Sequence, residues 1–205
     1  AFQPVLKRTG VKKPLMTTIR NGAQFTTKMD EEAIVNDKRR ALGLADEHIV
    51  FVQIARLEAV KAHEKGLYAF RNIVDKFPFA RLLFVGAGPL EGELKQLTEK
   101  LNLEDYVTFL GERDDVADLL KLSHVSLLTS ISEGFPYVLL ESAQAKKPVI
   151  ATDVGDVRHL VHQDSVGWLV EAGSEIGVVA AMEAAIVSKR DGRLEKKGEA
   201  LYEHA

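Results

Sequence analysis

A doubly wound α/β domain, a Rossmann-like parallel sheet with helices on both faces, is the fold class this sequence predicts. Three observations lead to it. Apolar runs of strand length alternate with helical patterns, the signature of parallel strands joined by crossover helices. The first run, Ile49-Val-Phe-Val-Gln-Ile54, is nearly continuous rather than alternating, as expected of a strand covered on both faces. The 205 residues, 46% of them hydrophobic, are enough for one domain of ordinary size with a sizeable core.

In chain order, the first fifteen residues show no period and read as a tail or linker. Leu15–Ile19 has the length of a short strand, and Asn21-Gly22 behind it is a turn signal. Asp30 is placed to cap a helix over Asp30–Leu42 that stops at Gly43. Ile49–Ile54 is then the first strand, His63–Phe77 a helix ending before Pro78, and Arg81–Val85 the second strand. A Gly-rich turn leads into a helix over Leu90–Leu101. Val107–Leu110 is the third strand, Val116–Leu122 a short helix, and Val125–Leu128 the fourth strand. Pro136 suits the first position of the next helix, where its missing N–H has no intrahelical partner anyway, which makes Phe135 the cap. Pro148–Ala151 and Gly167–Val170 are the fifth and sixth strands. Ser174–Val187 and Arg193–Tyr202 read as helices. The expected organisation is a basic tail at 1–20, an α/β domain at 21–190 and a C-terminal helical tail at 191–205.

Composition narrows the function classes. The chain has no cysteine, so disulfides and thiolate metal sites are excluded, and a reducing cytoplasm fits. No apolar run approaches the ~20 residues of a membrane span. The net charge of −3 hides an asymmetry: residues 1–30 carry six bases and one acid. Such an arm attracts anionic surfaces, which leaves peripheral membrane contact open for the full-length protein. A nucleic-acid partner is not expected, because aromatics are not interleaved with the bases. The histidines show no ligand spacing, so no metal site is expected.

The chemistry concentrates where the topology brings loops together. In the strand order 3-2-1-4-5-6, strands one and four are neighbours, and ligands bind beyond their carboxyl ends. Arg56 and Lys61 leave the first strand, and an arginine fork beside a lysine point charge makes a diphosphate clamp. Thr129 to Phe135 leave the fourth. There the free amides of Tyr137, Val138 and Leu139 would face an anion at the positive end of a helix. Glu133 precedes that helix, and Glu141 lies inside it in an apolar run, where burying a carboxylate without a partner is costly. Gly86-Ala-Gly-Pro-Leu-Glu-Gly92 fails as a dinucleotide fingerprint. Glu91 stands where its third glycine belongs, and the turn follows the second strand rather than the first.

Glu133-Gly-Phe-Pro-Tyr-Val-Leu-Leu-Glu141 resembles the E-x7-E motif of the retaining, GT-B-fold glycosyltransferases of family 4, and the resemblance runs from about Asn21 to Ala185. Arg56-Leu-Glu-Ala-Val-Lys-Ala-His63 is similar to the family's R-L-x-x-V-K-x-H pattern. Val85-Gly-Ala-Gly-Pro89 looks like its V-G-x-G-P turn at the rim of the donor site. The resemblance implies the C-terminal half of a GT-B fold, binding a nucleoside-diphosphate sugar without a metal or other cofactor. It implies that Arg56 and Lys61 hold the diphosphate, that Glu133 faces the sugar and that Glu141 accepts the ribose hydroxyls. The substrate-binding positions would be Gly134, Phe135, Tyr137, Val138, Leu139, Gly86 and Gly88, with Glu112 and Arg113 near the nucleobase. Two departures stand out. Lys146 replaces a glycine before the fifth strand, and Asp156 and His159 replace a glycine and a glutamate in the loop that approaches the sugar. Family members also place an acceptor-binding domain ahead of this one, and almost nothing precedes Asn21 here. A binding module without transfer, or an epimerase of the same fold, are the alternatives. A phosphorylase would want a pyridoxal-binding lysine motif that is not found.

Overall fold

The computed structural model describes residues 31–162 and 164–205. The strand expected at Leu15–Ile19, the Asn21-Gly22 turn, the Asp30 cap and the basic arm lie outside these. Six strands form one parallel sheet in the order β3-β2-β1-β4-β5-β6, the common doubly wound order that was expected. They are β1 (Ile49–Ile54), β2 (Ala80–Val85), β3 (Val107–Phe109), β4 (Val125–Leu128), β5 (Val149–Thr152) and β6 (Gly167–Val170). The helices are α1 (Glu31–Ala41), α2 (His63–Lys76), α3 (Glu91–Lys100), α4 (Val116–Leu122), α5 (Tyr137–Gln144), α6 (Glu175–Arg190) and α7 (Leu194–His204), with 3₁₀ turns at Ala59–Lys61 and Val157–His159.

The continuous apolar strands divide their side chains between two layers, because successive residues of a strand point to opposite faces. Ile49 and Phe51 pack with Leu67, Phe70 and Ile73 of α2 and Met182 and Ile186 of α6. Val50 and Val52 face the other way, onto Leu119, Leu120 and Leu122 of α4. A further apolar cluster joins Val138, Leu139 and Ala143 of α5 to Val149 and Ala151 of β5 and Leu201 of α7. Helix α7 is thus anchored rather than trailing. Its Gly198 lies so close to Lys146 that an added Cβ would stand 1.9 Å from the Lys146 carbonyl oxygen.

Three boundaries shift for physical reasons. Pro148 has no N–H to give the ladder, so β5 starts after it, while its carbonyl accepts the Ser126 amide at 3.0 Å. Helix α6 runs to Arg190, three residues past the expected end, and stops only where Gly192 adopts φ 66°. Its start is capped by Ser174, whose hydroxyl accepts the Gly177 amide at 3.1 Å. Pro136 does not open α5 from the first helical position. It adopts ψ 122° and is itself the cap, so the helix starts one residue later than expected and Phe135 is displaced into the loop.

Helix α5 ends in a Schellman turn. The Lys146 amide bonds to the Ala143 carbonyl and the Lys147 amide to the Ser142 carbonyl, at 2.9 and 2.8 Å, with Lys146 at φ 54°. That left-handed position normally belongs to glycine. The turn therefore accepts strain where a glycine was expected. Lys146→Gly should stabilise the domain by about 0.5–1 kcal/mol, read as a rise of roughly 1–4 °C in melting temperature. An unchanged or lower melting temperature would show that the lysine side chain more than offsets the strain.

Candidate functional site

The loops leaving β1 and β4 meet above the carboxyl ends of those strands, which are hydrogen-bonded neighbours. Lys61, on the 3₁₀ turn after β1, places its ammonium 2.6 Å from Oε1 of Glu133, and the same oxygen accepts the Ser130 hydroxyl at 2.6 Å. Only 8% of the Glu133 side chain is exposed, against 22% for Lys61. The carboxylate is therefore nearly enclosed and held by two donors. Arg56 reaches outward, 75% exposed, with its guanidinium 2.7 Å from Glu58.

A buried polar clasp locks these loops together. Gln53, an amide within the apolar β1, donates from Nε2 to the Thr129 hydroxyl at 3.0 Å and the Lys61 carbonyl at 3.3 Å. The Thr129 hydroxyl lies 3.0 Å from the carbonyls of both Lys61 and Ala62. The Ile131 amide donates to the Val60 carbonyl at 2.9 Å, and the Thr152 hydroxyl to the Ser130 carbonyl at 2.5 Å. These bonds convert two loops that are far apart in sequence into one rigid platform. They were not legible as site-forming beforehand, since lone polar residues at strand ends carry no pattern.

The glycine turn after β2 supports the platform from the side. A Cβ on Gly86 would stand 2.1 Å from the Ala55 carbonyl oxygen, and one on Gly88 would stand 2.4 Å from that of Leu57. Leu57 donates to the Ala87 carbonyl at 3.0 Å and its own carbonyl accepts the Leu90 amide at 3.1 Å. These glycines thus admit the backbone that carries Arg56. On the opposite side, Gly155, at φ 55°, packs under the Glu133 loop, and Asp156 donates to the Gly134 carbonyl at 3.0 Å.

The start of α5 differs from the expectation at one amide. The Leu139 N–H reaches back to the Pro136 carbonyl at 3.2 Å, so Tyr137 and Val138 are the amides that helix geometry leaves without an intrahelical acceptor. Tyr137 is exposed, whereas Val138 and Leu139 bury their side chains in the core. Phe135 packs partly on the same cluster. It also walls a cavity of about 560 Å³ together with Leu140, Arg158, His159, His162 and His204. Gly134 is exposed. Glu141 is half-buried, burial raises its pKa above the usual carboxylate value, and no partner for its carboxylate occurs among the described residues. Arg113 lies on the far side of the loop after β3, doubly hydrogen-bonded to Asp115 at 2.8 Å. Lys38 also reaches Asp115, and these cations hold its carboxyl far below the usual range. Its neighbour Glu112 stands in the same loop.

His63, in step with the Arg56–Lys61 pattern, is a core residue. It is 1% exposed, its ring packs edge-on to Phe84 at 5.1 Å, and neither nitrogen has a hydrogen-bond partner among the described residues. Burial, with Lys61 adding repulsion, lowers its pKa to about 4. Among the described residues no group of three or more His, Asp or Glu side chains is arranged to hold a metal ion, and no helix is long and apolar enough to cross a membrane.

Comparison with known proteins agrees with this architecture. The chain is 34% identical over 170 residues to N-acetyl-alpha-D-glucosaminyl L-malate synthase of Bacillus anthracis, covering 80% of this chain and 44% of that protein. It is 30% identical over 145 residues to the putative glycosyltransferase EpsD of Bacillus subtilis, covering 71% and 38%. The chain thus spans less than half the length of these relatives. A crystal structure of Anabaena Alr3699/HepE in complex with UDP-glucose superposes with a TM-score of 0.84 at 23% identity, over 98% of this chain and 55% of that one. The fold is therefore that of one half of a GT-B glycosyltransferase. Residues 35–201 match the family described as Glycosyl transferases group 1, and the chain belongs to that family.

Proposed function

We propose that this domain binds a nucleoside-diphosphate sugar and supports transfer of the sugar, with retention at the anomeric carbon, to an acceptor placed by a further domain. The observation that carries the reading is the Lys61–Glu133 contact of 2.6 Å beside the start of α5. It puts a cation, a carboxylate and the positive end of a helix in one crevice at the switch point of the sheet. As the bond to the sugar stretches, the leaving diphosphate gains charge. Lys61, Arg56 and the amides of Tyr137 and Val138 supply preorganised stabilisation of that charge. Their charge takes the place of a divalent ion. Glu133, fixed by Ser130 and Lys61, faces the sugar. Glu141, half-buried and without a partner among the described residues, is matched to the two donors of a ribose diol. Because the Anabaena neighbour was crystallised with UDP and UDP-glucose, uridine is the base to test first.

Calorimetry with UDP, GDP and NAD, with and without EDTA, tests the binding. A nucleoside diphosphate should bind, chelation should leave it bound, and Arg56→Ala should cost about 1.5–3 kcal/mol of affinity, as for a charge-assisted hydrogen bond. Preference for NAD over both diphosphates would overturn the reading. Transfer needs both reactants in near-attack geometry, so these 205 residues alone should show at most slow donor hydrolysis. Enzyme-like turnover by the isolated chain on radiolabelled donor and a crude acceptor pool would show that no further domain is required.

A further inference from the structure

The edge of the sheet opposite the donor crevice collects the strand starts and helix ends. There a second concavity, of about 270 Å³, sets five basic side chains against two acids, Asp46 and Glu195. Helices that return antiparallel to the strands bring their carbonyl ends to this edge, and cations commonly answer them. That accounts for Arg39, whose guanidinium donates to the carbonyls of Leu122, Ala45 and His48 at 2.9, 2.7 and 3.3 Å. Lys189 is answered by Glu195 at 2.5 Å, and Lys121 likewise has an interaction of its own. Lys146 turns towards Glu199 and lies over the Tyr202 ring. Lys147 is left unexplained. It follows the strained turn after α5, its side chain is partly buried, and its ammonium has no acceptor among the described residues.

His124, on the same wall, adds an oriented neutral donor. Its Nδ1 accepts the Val50 amide at 3.0 Å, so the neutral ring carries its proton on Nε2. Burial first, then Lys189, lowers the Lys147 pKa to about 8, and Glu195 only partly offsets this. Burial likewise, reinforced by Lys189, Lys147 and Arg39, lowers that of His124 to about 3. Neither group has an ion-pair partner among the described residues.

We propose that this concavity is a second binding site, separate from the donor crevice, for a small phosphate-bearing ligand held by the Lys147 ammonium and the His124 Nε2–H. Its volume admits inorganic phosphate or a short phosphomonoester and is too small for a nucleotide sugar. Glu195 does not bar the anion, because Lys189 already neutralises it.

The test uses the chain saturated with UDP, so that the donor crevice is filled. Inorganic phosphate and, separately, glycerol 3-phosphate are titrated while the lysine side chains are followed by proton–carbon NMR. The Lys147 signal should shift saturably in the millimolar range, and its midpoint should move up by about one pH unit, because a bound anion favours the charged amine. The Lys189 signal, on the same wall, should shift with the same midpoint, and Lys147→Met and Lys147→Gln should each abolish that saturable Lys189 shift while leaving UDP affinity within about twofold. Lys61→Ala should weaken UDP and retain the phosphate response. A response to glycerol 3-phosphate alone would identify the ligand as a phosphomonoester, and an equal response to both would identify the phosphate group as what is recognised. Shifts that stay linear and are shared by all surface lysines, or saturable binding that survives both Lys147 variants, would overturn the proposal.

Discussion

Gly155→Ala is expected to lower donor affinity at least about tenfold, or roughly 1.4 kcal/mol, although residue 155 offers no side chain to the donor. The glycine sits at φ 55°, and a Cβ there would stand 2.1 Å from the Glu133 carbonyl oxygen and 2.6 Å from that of Gly134. Neither neighbour is a side chain that can swing aside. The Asp156 amide holds the Gly134 carbonyl at 3.0 Å, so the two loops are fastened together at the point of conflict. The Glu133 backbone must retreat by more than about one ångström to restore ordinary contact. Its carboxylate then leaves the 2.6 Å contacts to Lys61 and Ser130. Gly173 provides the control, since it adopts φ 80° and a methyl group added there would meet nothing within 4 Å. Gly173→Ala should therefore cost only backbone strain, about 1–2 kcal/mol of stability, with unchanged affinity. Calorimetry on both variants, with urea unfolding alongside, separates strain from displacement. Equal donor affinities for the two variants would mean that the Glu133 loop has room to move without consequence.

Acid should weaken the fold well before the carboxylates titrate. His63 and His124 have folded pKa values lowered by burial to about 4 and about 3, below the value of about 6.5 for an unfolded histidine. A depressed value means that the unfolded chain takes up protons first. The stability held above pH 6.5 is therefore lost as the pH falls towards the folded values. At pH 5 each histidine would cost about 2 kcal/mol, or about 4 kcal/mol together. Glu141 works in the opposite sense. Its raised pKa favours the folded state at low pH, and that contribution is lost as the pH rises through the folded value. Urea titrations at pH 7, 6 and 5 read the balance. His63→Leu should remove about half of the slope between pH 6.5 and 5. An unaltered slope in that variant would show that His63 already takes up protons in the folded state.

The strands of this domain were legible because burial on both faces writes itself into a sequence as unbroken apolar runs, and β1, β4 and β6 appear with the expected bounds. The strand order expected was the common one for a doubly wound sheet, and it is the order observed. The start of α5 was misplaced by one residue because proline fixes φ and leaves ψ free, and Pro136 took the extended value. Arg56, Lys61, Glu133 and Glu141 were legible as candidates because their spacing matches a known pattern. The Lys61–Glu133 pair was not, since a contact across 72 positions leaves no local trace. Gln53, Thr129 and Gly155 were invisible for the same reason: each acts through a backbone or side chain that only the folded topology brings near. The glycines at 86 and 88 were noticed for the right turn, but the structure shows that they yield space to the neighbouring loop.

The seam between β1 and β4 has a consequence for how the domain comes into being. Lys61 belongs to the half of the chain that builds β1 to β3, and Glu133 to the half that builds β4 to β6. Gln53 and Thr129 are likewise separated by 76 positions. Bringing such distant segments together carries a loop-closure cost before any contact rewards it, so pairing across the seam belongs to the slow part of folding. A chain emerging from synthesis would hold the cation early and gain the carboxylate only when its second half has folded. Nucleotide binding then serves as a reporter of complete folding, and two fragments divided in the loop between β3 and α4 should bind donor only after they recombine.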